Sequence, residues 1–410
     1  MNTTTGRSAF LTLLKDEGVT HMFGNPGTTE LPIMHALSEH PDLTYVLGLQ
    51  EAIVVAMADG FGRASGKLTA CNVHVAPGLG NAMGSIYNAK FTGTPIIITA
   101  GQQEQGHGLT EPLLYEPLVP IATPLVKWAT EITRLEDMPR IVRRAAKVAM
   151  TPPTGPVFLS LPGDVLNDEV AIEFGHRTRV DTASRPSETT LDTLARRILA
   201  AERPAIISGD EVVTSDALAE VAQLAETVGA PAYQQTVTWG AHFPSEHPAY
   251  MGSLTRNQAE VRETLSAYDL IIVVGADPLR MSVWSKVEAL PTDLPIVQIG
   301  LKDWEMGKNF PTELAVRSDV RETLRALTPA LVARGGTELT DQAKVRLSAI
   351  ADSNWSAKRS ARRETTLTKS GATPIANDWL MMQITNALPA DGIVVNEGLT
   401  SAWPLLDFLP

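Results

Sequence analysis

A single acidic residue stands where an apolar strand runs into an apolar helix. In YVLGLQEAIVVAMADGFGR, Tyr45 to Arg63, Glu51 is followed by Ala, Ile, Val and Met. Desolvating an ionised carboxylate is costly, so the placement predicts a partner for Glu51. A carboxyl group in an apolar pocket favours its protonated form and can donate a hydrogen bond, which makes Glu51 a candidate catalytic acid. The bland alternative is a glutamate in the first turn of a helix, stabilised by the macrodipole.

Two further segments belong with it: FGNPGTTELP (Phe23 to Pro32) and NVHVAPGLGNAMG (Asn72 to Gly84). His74 ends a predicted strand, where an imidazole can move a proton or orient a carboxylate. A hydrogen-bonded histidine at a strand end is the structural alternative. Asn25, Pro26 and Gly27 read as a tight turn whose glycine lets the backbone approach a ligand, with Thr28 or Thr29 capping the next helix. Gly78, Gly80 and Gly84 are spaced G-x-G-x-x-x-G, and PIIITAG ends without an acid. Both features depart from the dinucleotide fingerprint, which ranks a nicotinamide site last.

The elements that must position these residues alternate short β-rich runs with helical patterns, the signature of parallel sheets covered by helices. Over residues 1–175 the strands are THMFG, TYVLGLQ, LTACNVHV, TPIIITAG and GPVFLSLPG. A helix is expected over Ser8 to Glu17, a second after Gln50 and a third after Gly80. The three chemical segments then fall at carboxyl ends of strands, where open α/β sheets bind ligands. GHRTRVDTASRPSETT (Gly175 to Thr190) reads as a linker. A second α/β domain follows over residues 191–332, with strands ERPAIISGD, GAPAYQQT, YDLIIVVGAD and LPIVQIG. A charged helical stretch then leads to a last segment, 370–410, with a helix from Ile375 to Ala387 and a strand GIVVNEG.

At 410 residues the chain is long enough for two or three domains. A net charge of −12 argues against a nucleic-acid or anionic-membrane surface. Cys71 is the single cysteine, which excludes a disulfide framework or a Cys-rich zinc site. With neither a signal peptide nor a spanning apolar run, a cytoplasmic small-molecule enzyme is expected.

Together the three segments resemble the pyrimidine-binding domain of the thiamine-diphosphate enzymes, most closely the benzoylformate decarboxylase-like branch. TAGQQEQ (Thr99 to Gln105), PLVKWATE (Pro124 to Glu131) and the second domain extend the likeness. The resemblance implies non-oxidative decarboxylation of a 2-keto acid, with an arylglyoxylate favoured and carboligation as an added possibility. It implies Glu51 as the catalytic group that donates to the cofactor's aminopyrimidine ring, and His74 as an acid–base or substrate-orienting group. Asn25, Pro26, Gly27 and Asn81 would contact cofactor, and Thr28 substrate. Acetolactate synthase is the rival within the class, although that branch does not normally carry a His at position 74. A non-catalytic binding protein is the rival outside it.

Two departures stand against the pattern. No Gly-Asp-Gly motif for Mg²⁺ and diphosphate occurs, the Gly-Asp pairs at Gly163 and Gly209 lacking the third glycine. The metal and diphosphate ligands are therefore expected outside this chain, on a homo-oligomer partner or a separate diphosphate-domain subunit. The apolar run SAWPLLDFLP is expected to be covered by a partner or by chain beyond Pro410. Second, the branch's other active-site histidine falls near Ser282, and none of the eight histidines lies beyond His247.

Overall fold

Residues 3–401 and 403–409 are described by the structure, a computed structural model; Met1, Asn2, Ala402 and Pro410, two of them in the C-terminal apolar run, lie outside it. The chain divides into two units, Met1–Thr182 and Ala183–Pro410.

The first unit runs β1 (Thr3–Thr5), α1 (Gly6–Asp16), β2 (His21–Gly24), a 3₁₀ turn (Thr28–Glu30), α2 (Leu31–Ala36), β3 (Thr44–Leu47), α3 (Glu51–Ser65), β4 (Thr69–Val73), α4 (Val75–Thr92) and β5 (Ile96–Gln102). It continues through α5 (Leu118–Ala122), β6 (Ala129–Glu131), α6 (Met138–Met150), β7 (Val157–Pro162), α7 (Gly163–Asn167) and β8 (Glu169–Ala171). Six strands form one sheet in the order β3-β2-β4-β5-β7-β6, every neighbouring pair parallel. The central strands β4, β5 and β7 are buried along their whole length, as strands covered on both faces must be, and so read as nearly continuous apolar runs.

Side chains leave successive strand positions on opposite faces, and two cores result. Ile96, Ile98 and Ala100 pack with Val54, Val55, Ala58, Leu79, Ala82 and Ile86 of α3 and α4. Ile97, with Val157, Leu159 and Leu161, packs against α1, α2 and α6 through Phe10, Leu14, Ile33 and Val142. The chain leaves β2 to one side for β3, then crosses back to place β4 on β2's other side. That reversal makes the carboxyl ends of β2 and β4 the topological switch point, where a crevice opens in such sheets.

The second unit runs α8 (Glu188–Leu199), β9 (Pro204–Ser208), α9 (Asp210–Thr214), α10 (Leu218–Val228), β10 (Ala232–Gln234), β11 (Tyr250–Ser253), α11 (Gln258–Leu265) and β12 (Leu270–Val274). Then come β13 (Ile296–Gly300), β14 (Leu314–Arg317), α12 (Val320–Ile350), α13 (Trp355–Leu367), α14 (Asn377–Ala387) and α15 (Trp403–Phe408). Its six strands are also parallel, in the order β11-β10-β9-β12-β13-β14. Among the described residues no helix is long and apolar enough to cross a membrane.

Several expected boundaries shift. The first helix starts two residues before Ser8, because Thr5 Oγ1 accepts the Ser8 N–H and serves as N-cap. The third starts at Val75, directly after His74, so Gly78 and Gly80 lie inside a helix instead of in a turn before it. GIVVNEG is not a strand: Ile393 and Val395 are 89% and 91% exposed, and a strand with no ladder partner among the described residues does not persist. The helix α12 runs through the expected domain end at Val332, breaking only at Gly336 with φ 53°. Its Leu331 and Leu339 belong to the same core as β9 and β12.

Candidate functional site

The site begins with a capped helix. Gln50 is extended, and its Oε1 accepts the backbone N–H groups of Ala52 (2.6 Å) and Ile53 (3.2 Å), which starts α3 at Glu51. Glu51 therefore occupies the first helical position, where the macrodipole favours a carboxylate. It is not enclosed in an apolar pocket, as expected from sequence, but half-buried. The partner is Asn81, whose Nδ2 donates to Glu51 Oε2 at 3.0 Å from the second turn of α4. Beneath it lies buried Gly78: a Cβ there would stand 3.1 Å from Glu51 Oε1. The chain on either side exposes Leu47 (60%), Leu49 (86%) and Ile53 (53%), so the carboxylate has an apolar rim rather than an apolar enclosure.

His74 is the residue between β4 and α4, and its carbonyl accepts the Gly78 N–H at 2.8 Å. The first turn of α4 thus touches both candidate catalytic residues, one through its backbone and one through the space a glycine leaves. The ring's Nδ1 lies 2.8 Å from Glu30 Oε2 and 3.2 Å from Thr29 Oγ1. Its side chain is 22% exposed, while that of Glu30 is 0% exposed. No described residue bonds His74 Nε2.

The loop after β2 is organised by Glu30, which the sequence reading missed. Its Oε2 accepts the Gly27 N–H at 2.8 Å and its Oε1 the Gly101 N–H at 2.7 Å, joining the ends of β2 and β5. Capping by Thr28 or Thr29 does not occur; Gly27 holds the N-cap position and the Glu30 carboxylate closes the turn. The spacing Gly27-x-x-Glu30, half of a capping box, is the signal that would have revealed it. Gly27 is also needed for a different reason than ligand approach. A Cβ on it would overlap the His74 ring, so the room belongs to the imidazole.

Asn25 ties the ends of β3 and β4 together: its Nδ2 donates to Gly48 O at 3.0 Å and its N–H to Asn72 O at 3.3 Å. Pro26 is half-buried and Thr28 exposed on the same loop. Behind them Tyr45 donates to Asn72 Oδ1 at 2.8 Å across Gly24, and burial pushes the Tyr45 phenol well above its ordinary range. In the second unit Ser282 is exposed in the loop after β12, its N–H bonded to Arg256 O. Among the described residues no three His, Cys, Asp or Glu side chains converge as a metal-ligand group.

Comparisons with known proteins place the chain among its relatives. The family described as "Thiamine pyrophosphate enzyme, N-terminal TPP binding domain" matches residues 4–113, and "Thiamine pyrophosphate enzyme, central domain" matches residues 191–327. Benzoylformate decarboxylase of Pseudomonas aeruginosa is 34% identical, over 79% of this chain and 61% of its own length. The large subunit of acetolactate synthase isozyme 1 of Escherichia coli is 28% identical, over 82% of this chain and 59% of its own. The chain thus spans about three fifths of the length of these curated relatives. The solved structure of a thiamine diphosphate-dependent 4-hydroxybenzoylformate decarboxylase from Rhodococcus jostii superposes with a TM-score of 0.82 at 27% identity, covering 99% of this chain and 73% of that one. With both domain descriptions matched in order along two parallel-sheet units, the chain belongs to the thiamine pyrophosphate enzyme family.

Proposed function

We propose that this chain supplies the pyrimidine-binding side of a thiamine-diphosphate-dependent 2-keto acid decarboxylase, acting on an arylglyoxylate of the benzoylformate type. One observation carries the reading. A half-open carboxylate and a partly open imidazole meet the same first turn of α4, at the switch point of a parallel sheet.

The residues fit the cofactor's ring. A carboxyl group over a glycine, with exposed Leu47, Leu49 and Ile53 beside it, suits a flat heteroaromatic ring bearing a nitrogen. Glu51 and Asn81 would meet that ring, with Asn25, Pro26 and Gly27 shaping the adjoining wall. When bound, thiamine diphosphate supplies the nucleophilic carbon and the electron sink that decarboxylation requires. Glu51 holds and returns a proton at the carboxyl oxygen that Asn81 leaves free. His74, through Nε2, orients the substrate carboxylate or moves a proton, and Thr28 lines the same side. Mg²⁺ and the diphosphate are assigned to a diphosphate-binding domain on a homo-oligomer partner or separate subunit.

The relationship to acetolactate synthase favours a second reading, an acetolactate-forming carboligase. Both are tested by combining the chain with a diphosphate-binding domain, thiamine diphosphate and Mg²⁺, then following benzoylformate and pyruvate. Aldehyde and CO₂ from benzoylformate are expected. Acetolactate from pyruvate with no aldehyde from benzoylformate would establish the carboligase instead, and neither product would leave a non-catalytic binding protein.

A further inference from the structure

Glu30 is fully buried, and four donors converge on it. Gly27 N–H and His74 Nδ1 meet Oε2, each at 2.8 Å, while Gly101 N–H at 2.7 Å and Thr29 Oγ1 at 2.9 Å meet Oε1. Backbone N–H groups can only donate, so both oxygens act as acceptors. An ionised carboxylate offers about four lone-pair sites, and this arrangement fills them. Thr29 gives its one hydroxyl proton to Oε1 and has none left for His74. As a carboxylate Glu30 has no proton to give, so the proton in the Glu30–His74 contact sits on the ring.

We infer that Glu30 is the positioning residue of His74, holding the neutral imidazole as its Nδ1–H tautomer and leaving Nε2 as a bare acceptor toward the crevice. The inference rests on the reading of His74 as a working imidazole, but its physical content does not depend on turnover. Two constraints fix the ring: the bond from Nδ1 to a carboxylate that is itself immobile, and the Gly27 backbone packed against the ring face. A histidine whose one nitrogen is bonded to a carboxylate has its tautomer and orientation set by that bond. In the neutral state His74 can accept at Nε2. After taking a proton it presents an Nε2–H donor, the form that grips a carboxylate, with the ring's charge facing Glu30. The same carboxylate ties Gly27 and Gly101 to the ring, so the ends of β2, β4 and β5 are positioned together.

The test is the ring-nitrogen NMR spectrum of the full chain labelled with ¹⁵N-histidine, recorded above the titration range of histidine, with His74→Gln identifying the His74 signals. The wild type should show Nδ1 at the protonated, pyrrole-type position and Nε2 at the unprotonated, pyridine-type position. In Glu30→Gln, checked for native circular dichroism, the preference should be lost or reversed. A wild-type His74 protonated at Nε2 overturns the assignment, and this arm needs no variant if Glu30→Gln does not fold. A folded Glu30→Gln with an unchanged Nδ1–H signature overturns it too. Either failure leaves the decarboxylase reading standing, whereas a correct tautomer in a protein that never turns over benzoylformate would sink that reading and not this one.

Discussion

Replacing Gly27 by alanine tests the packing that holds the site's histidine. The new Cβ would fall well inside 3.0 Å, a separation real Cβ atoms essentially never show, of the Cγ, Nδ1 and Cε1 atoms of His74. Relief by swinging the ring away is expensive, because Nδ1 is bonded at 2.8 Å to a carboxylate with no exposed surface. If the ring stays, overpacking costs about 1–3 kcal/mol. If it moves, a hydrogen bond to a charged group worth about 1.5–3 kcal/mol is lost, and Glu30 is left short of a partner. A net loss of about 1–3 kcal/mol corresponds to a fall of roughly 2–12 °C in the melting temperature of a unit this size. Gly60→Ala is the control of opposite sign. It lies inside α3 with nothing within 4 Å of its added Cβ, so removing a helix-interior glycine should stabilise by about 0.5–1 kcal/mol. Thermal unfolding followed by circular dichroism reads both. A Gly27→Ala protein melting within about 1 °C of wild type would refute the packing argument, and a destabilised Gly60→Ala would show that the α3 face is covered by something else.

Four other outcomes are expected. In the completed enzyme Glu51→Gln should abolish turnover with unchanged circular dichroism, and His74→Ala should slow decarboxylation by roughly 10² to 10⁴; wild-type rates would return both residues to structural roles. Asp210, largely buried, would be raised by desolvation, but its bond with His242 and the nearby Lys302 ammonium outweigh that and hold its carboxyl below the usual 3.8. Its folded pKa is depressed, so its stabilisation is present above pH 3.8 and lost as pH falls through the folded value. Urea unfolding should therefore show a shallower acid loss for Asp210→Asn than for wild type, and parallel acid limbs would contradict this. Glu17, buried and paired with Arg143 (2.8 Å) and Arg179 (2.5 Å), ties the segment after β8 to α1; Glu17→Ala should cost the first unit about 3 kcal/mol, and a loss below about 1 kcal/mol in urea unfolding would mean the pairs are not formed in solution.

The parallel sheets were legible because their central strands are buried on both faces, and runs such as PIIITAG and YDLIIVVGAD have few other uses. Three of the four edge strands of the six-stranded sheets were not. Ala129–Glu131, Tyr250–Ser253 and Leu314–Arg317 are three or four residues long, too short for an alternation to register. GIVVNEG shows the converse, a β-rich run that lacks a neighbour to pair with. At the site, Glu51 and His74 stood out because acid–base groups at strand ends are chemically conspicuous. Why Gly78 is glycine could not be read locally, since three glycines in a row of small residues look like helix breakers. The need is tertiary: the Glu51 carboxylate lies over that position. Glu30 is inconspicuous in sequence, because its place in the fold is set by a contact with Gly101, 71 positions away.

The two units share one local device and differ in how far it is open. In each, a carboxylate just past a central strand is buried and accepts backbone N–H groups from a more distant strand end: Glu30 from Gly101, and Glu211 from Leu301 at 2.5 Å and Lys302 at 3.3 Å. Each unit also pairs an imidazole with a carboxylate at that end of its sheet, His74 with Glu30 and His242 with Asp210 at 3.0 Å. In the second unit the His242 side chain is only 2% exposed and its Nδ1 is buried without a bond, so the ring cannot meet a substrate without the surrounding loops opening. Burial also pushes the Glu211 carboxyl up, against the opposing pull of the Lys302 ammonium and the Leu301 and Lys302 N–H groups. In the first unit the His74 side chain is 22% exposed with a free Nε2, and a half-open carboxylate stands on the next helix. Similar ingredients, a buried acid holding backbone N–H groups and a histidine–carboxylate pair, leave the histidine sealed in one sheet and partly open in the other. Opening the first site depends on two glycines, Gly27 and Gly78, whose missing side chains leave room for the imidazole and for the Glu51 carboxylate.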